Sequence, residues 1–170
     1  MTDIDGGGYN RGEVIATENE NNGVLATAAT EREVKRILAC NDKTEHIGLA
    51  LTQGQTLRLL EGREHALRAT GRVEFGSGIL DKLILAFYDS PFLDPHDYVD
   101  TLLELQDIFY YFKGAAQERL ADDELLEMMR EFFDGKCKGS LEYLAGTALE
   151  ALCRETDCGR GRRDENGEER

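Results

Sequence analysis

The chain has 170 residues, with 34 acidic against 20 basic side chains and a net charge of −14. That length suits one domain able to bury a core, and that charge repels nucleic acid and anionic lipid unless basic residues cluster locally. No stretch approaches the ~18 apolar residues needed to span a bilayer, and no leader pattern opens the chain. The four cysteines, Cys40, Cys137, Cys153 and Cys158, form no C-x-x-C pair of the kind that marks a zinc site or a redox dithiol. The expectation is a cytoplasmic protein with reduced thiols, without nucleic-acid or membrane partners.

Residues 1–30 and 156–170 are expected to be disordered tails around one helical domain, 31–155. Asp5-Gly6-Gly7-Gly8 and Glu18-Asn19-Glu20-Asn21-Asn22-Gly23 offer little to bury. The arginines of Gly159-Arg160-Gly161-Arg162-Arg163 are offset by Asp164, Glu165, Glu168 and Glu169, so no basic patch results. Between the tails, Thr30 with Glu33 spells a capping box for a helix to about Cys40, and Thr52 with Gln55 spells a second. The second helix should stop at Gly71, before a short extended run, Arg72-Val73-Glu74-Phe75. Ser77 is placed as the cap of a helix through Tyr88, with Ile79, Leu80, Leu83, Ile84 and Phe87 at helical spacing. Asp94 is placed as the next cap with Pro95 at the first position, for a helix reaching at least Lys113 and extending toward Leu120 across Gly114. Asp122 opens another, closed by Gly135, and Ser140 opens the last, to about Glu155.

At 100° per residue, the apolar residues of the fourth helix, from Tyr98 to Phe112, cover an arc of about 220°. Leu102 and Phe109 lie near its middle. The remaining arc carries Asp97, Asp100, Glu104 and Asp107, a 3-4-3 spacing that stacks four carboxylates on one face. A helix apolar over more than half its circumference is the expected centre of the bundle. The following helix places Leu125, Leu126, Met128, Met129, Phe132 and Phe133 on one side and acids on the other. Charge is also divided along the chain: residues 31–72 carry eight bases and six acids, whereas 73–134 carry four bases and fifteen acids.

Three constellations are weighed as sites. The row Asp97, Asp100, Glu104 and Asp107 is the candidate docking face for a basic partner, against the plainer reading of a solvated helix face. The turn Gly76-Ser77-Gly78, flanked by Arg72 and Lys82, is the candidate anion or ligand site, because amides at a helix start point outward. A turn and cap alone would read the same way. Cys137, between Lys136 and Lys138 and just before a helix start, is the candidate reactive thiol, since both features favour thiolate. An incidental loop cysteine is the alternative. No Glu-x-x-His pair precedes any of His46, His65 or His96, so no di-metal bundle site is signalled, and no nucleophile motif is present.

Arg72-Val73-Glu74-Phe75-Gly76-Ser77-Gly78, Lys82-Leu83-Ile84, Ala86-Phe87-Tyr88-Asp89-Ser90-Pro91, Ile108-Phe109-Tyr110-Tyr111-Phe112-Lys113, Phe133-Asp134-Gly135 through Cys137, and Gly139-Ser140-Leu141-Glu142 resemble a family of small uncharacterised proteins from Firmicutes, including clostridia. The resemblance covers about residues 40–155. It implies a bacterial cytoplasmic setting and action beside another uncharacterised protein, and it assigns no functional residue.

The expected fold is all-α, a single compact bundle of about six helices. The expected function is a non-enzymatic acidic interaction module that binds a protein partner or a second copy of itself, with no cofactor and no metal. The alternative is an anion-binding or small-molecule-binding protein, or an enzyme, with a site near Gly76–Lys82 or Cys137. Convergence of Arg72, Glu74, Lys82 and Cys137 in one cleft would favour that alternative.

Overall fold

A computed structural model describes residues 30–116, 119–148, 150 and 151. The tails expected at 1–30 and 156–170 lie outside the described residues apart from Thr30, as do Cys153 and Cys158. Helix α1 covers residues 30–38. Helix α2, Asn41–Thr44, runs into a 3-10 turn, Glu45–Ile47. Then come α3, Gln53–Thr70, α4, Leu80–Phe87, α5, Tyr98–Ala115, and α6, Asp122–Asp134. Helix α7, Leu141–Tyr143, loosens into a π-type turn, Leu144–Ala148. No strand occurs among the described residues, so the fold is all-α as its helical periodicity predicts.

Helix α5 is the hub. It packs most extensively against α3 and also touches α4, α6 and α7. Leu102, Leu105 and Phe109 are fully buried, which follows from an apolar arc too wide for one neighbour to cover. Gly62 lets α3 and α5 approach closely, for a Cβ there would lie 2.4 Å from Leu103 Cδ2. Nearby, the fully buried Gln106 donates from Nε2 to the Leu59 carbonyl at 3.4 Å. At the other side of the hub, Phe87 of α4 meets Phe133 of α6 edge to face at 5.6 Å. Arg130 ties the same pair of helices. It donates to Asp134 at 2.6 Å, to Asp89 at 2.7 Å and to the Ala86 carbonyl.

Several helix ends follow the sequence closely. Thr52 and Gln55 form the reciprocal capping box, and Gly71, at φ +65°, closes α3 with its amide on the last carbonyls. Ser140 Oγ accepts from the Tyr143 amide at 3.2 Å. Three starts differ. Thr30 already lies within α1. Ser77 does not cap α4: its side chain is buried in the preceding turn, and the helix begins at Leu80 without a side-chain cap. Asp94 closes a tight turn instead of a helix, accepting from the His96 amide at 2.9 Å. An Asx-turn of this kind competes with helical pairing, and α5 starts at Tyr98, whose side chain is buried. At its far end α5 stops at Ala115 and does not continue to Leu120.

Candidate functional site

The acidic row of α5 stands on the exposed face, but part of it is answered from within the fold. Asp100 Oδ1 pairs with Arg58 Nη2 of α3 at 2.7 Å, with both side chains more than half exposed. Asp107 is partly desolvated by its neighbours, which raises its carboxyl above the ordinary value, against a smaller lowering by nearby His65. Asp97 Oδ1 reaches the Thr101 hydroxyl at 3.5 Å, and Glu104 has no ion pair among the described residues. The division of charge between residues 31–72 and 73–134 therefore expresses itself along the α3–α5 contact.

The denser polar cluster lies where the Arg72–Phe75 segment crosses the ends of α3 and α5. Exposure alternates along this segment, Arg72 and Glu74 being partly covered. Glu74 turns inward, whereas Val73 and Phe75 are 81% and 92% exposed. Tyr110 of α5 donates its phenol to Glu74 Oε2 at 2.7 Å. Arg63 Nη2 stands 3.8 Å from the same oxygen, and Arg72 Nη2 stands 3.7 Å from Oε1. Burial first, then the Glu74 carboxylate, hold the Tyr110 phenol above its ordinary range. Gly76 at φ +67° and Gly78 at φ +59° fold the following turn over this cluster. That backbone strongly favours glycine. At Gly78 a Cβ would also lie 2.5 Å from Arg63 Nε and 2.6 Å from Glu74 Oε2.

Arg63 is 2% exposed, and its Nε and Nη2 make no hydrogen bond among the described residues. Among the described residues its guanidinium donates from Nη1 to Glu64 Oε1 at 3.2 Å, and its charge acts on the nearby Tyr110 phenol, offsetting part of the rise. Ser77 Oγ is likewise buried without a hydrogen-bond partner among the described residues. Arg63 escaped the sequence reading, although a signal was there. Leu59, Leu60, Ala66 and Leu67 stand four and three residues before and after it, and all are buried, so position 63 lies on the apolar stripe of α3.

Of Arg72, Glu74, Lys82 and Cys137, whose convergence would favour a ligand site, Arg72 and Glu74 meet in this cluster, beside the Gly76–Gly78 turn. Lys82 does not. Its ammonium pairs with Asp123 of α6 at 2.9 Å, on a groove of about 520 Å³ between α4 and α6 that Arg130 also lines. Cys137 is elsewhere, in the α6–α7 connection. It is buried, and burial pushes its thiol up, opposite to the shift expected from two flanking lysines. A second groove, of about 680 Å³, lies between α1 and the start of α3, with Val34, Leu38 and Leu57 on its walls. Among the described residues, no group of three or more His, Cys, Asp or Glu is placed to hold a metal ion, and no helix is long and apolar enough to cross a membrane.

No curated protein and no solved structure matches the chain. Residues 36–162 match the profile of a family of unknown function, DUF6323, and the chain belongs to that family.

Proposed function

We propose that this chain is a non-enzymatic protein-interaction module whose docking element is the Arg72–Phe75 segment. The observation that carries this reading is the exposure of Val73 and Phe75, at 81% and 92%, on a segment anchored from beneath by Glu74. Single exposed apolar residues are ordinary. Two large ones on one short segment, tied to the bundle by the part-buried Tyr110–Glu74 hydrogen bond, offer a partner a ready apolar contact. The acidic residues Asp97, Asp100, Glu104 and Asp107 flank this contact in the proposal, since Asp107 stands one turn before Tyr110 on α5. They steer a basic surface toward it. The partner is a protein or a second copy of this chain, in the bacterial, Firmicutes-type cytoplasm that the family resemblance implies.

The test compares the wild-type chain with a Val73→Ser, Phe75→Ser double variant and an Asp100→Lys, Glu104→Lys double variant. Sedimentation velocity reads self-association, and affinity purification from the native cell followed by binding kinetics reads a heterologous partner. The serine variant is expected to lose binding through faster dissociation. The lysine variant is expected to associate more slowly, with its salt dependence reduced. A serine variant that binds like wild type would sink the proposal.

A further inference from the structure

We propose that the Arg63 guanidinium belongs to a binding site for a small carboxylate, with Glu74 as its resident plug. The inference does not depend on the docking role of Val73 and Phe75. The Nε–Nη2 edge of a guanidinium is a two-donor fork matched to a carboxylate. In Arg63 that edge is buried, makes no hydrogen bond among the described residues, and faces the turn at Gly78. Buried polar atoms are nearly always bonded, and each exception asks for a reason. Glu74 supplies only part of one. Tethered by its own segment, its carboxylate reaches Tyr110 at 2.7 Å but stops 3.8 Å from Arg63 Nη2. Ser77 Oγ adds a further buried hydroxyl without a partner among the described residues, next to Gly78. The cluster thus offers the Arg63 fork and the Tyr110 phenol, and Glu74 engages the phenol at hydrogen-bond distance while meeting the fork only as a 3.8 Å ion pair.

An untethered carboxylate in the place of the Glu74 side chain settles onto the fork and keeps the Tyr110 bond. Entry requires Glu74 and the turn above it to swing aside. The covering segment is suited to that. Val73, Glu74 and Phe75 make no backbone–backbone hydrogen bond among the described residues, and the turn that follows is carried by Gly76 and Gly78 at positive φ. Val73 and Phe75 adjoin Glu74 in the chain, so a swing of this segment carries them with it, and occupancy of the site changes the apolar surface outside it.

The experiment is an NMR titration of the full chain with sodium acetate, at ionic strength held constant with chloride. It follows the Arg63 side-chain Nε–H and the Gly78 amide, with inorganic phosphate as a second arm. Wild type is expected to shift saturably with acetate. Glu74→Gln, which removes the plug's charge and keeps its shape, is expected to bind acetate about ten-fold more tightly. Ser77→Ala is expected to bind several-fold more weakly, and Arg63→Lys, which keeps the charge and loses the fork, to lose saturable binding. Saturation by phosphate with none by acetate would overturn the carboxylate assignment. Absence of saturation with either anion, in wild type and in Glu74→Gln, would overturn the site. Should Glu74→Gln fail to fold, the wild-type titration decides alone. A chain that binds acetate yet no protein would refute the docking reading and leave this one standing.

Discussion

Tyr110, deep in the central helix, donates its phenol at 2.7 Å to Glu74, a residue 36 positions earlier. This bond holds the Arg72–Phe75 segment against the bundle and fixes which of its side chains face solvent. Tyr110→Phe removes the donor and leaves the ring's packing. A hydrogen bond to a charged group contributes about 1.5–3 kcal/mol, so urea denaturation should show a loss in that range. NMR order parameters of the Val73–Phe75 amides should fall while those of α5 stay unchanged. Equal order parameters in the two proteins would show that the segment is held by other contacts.

The two faces of α5 should respond oppositely. Leu102 and Phe109 are both fully buried, and either changed to Ala should cost roughly 2–5 kcal/mol in denaturant unfolding. Asp100→Ala removes one exposed ion pair with Arg58, worth about 0.2–1 kcal/mol, while relieving repulsion along the acidic row. Its net effect should fall within about 1 kcal/mol of wild type.

Asp107 gives a pH-dependent test. Desolvation raises its carboxyl in the folded chain above the ordinary 3.8. The folded state therefore holds this proton more tightly than the unfolded state, and ionisation penalises folding as pH rises past the folded value. Asp107→Asn should melt higher than wild type at pH 7, and the gap should close as pH falls below 3.8. A gap that persists at low pH would mean the effect is not one of charge.

Cys137 should behave as a protected thiol. It is buried, and burial raises its thiol above the ordinary 9.0. In the folded chain at pH 7.5, alkylation by iodoacetamide, followed at the Cys137 peptide by mass spectrometry, should run about ten-fold or more slower than in the denatured chain. Equal rates would restore the reactive-thiol reading.

The residue pattern by itself determined the all-α fold, the α3 capping box, the Gly71 stop and the inward face of α5. These are local facts: a cap bonds within three residues, and an apolar arc follows from 100° per residue whatever the neighbours are. It also placed Arg72, Glu74, Gly76, Ser77 and Gly78 in one short stretch. What those residues do was decided by tertiary contacts. Ser77 reads as a cap in sequence, yet two glycines at positive φ turn it inward. Lys82 lies five residues from Ser77, yet the α4 helix carries it to Asp123 on α6. The lysines beside Cys137 predict a lowered thiol, yet packing around it raises the thiol instead. Asp100 looks unneutralised along its own helix, because Arg58 comes from α3, 42 residues away. Charge, burial and hydrogen bonding at such distances depend on which helices meet, and only the folded chain brings Arg63, Glu74 and Tyr110 together.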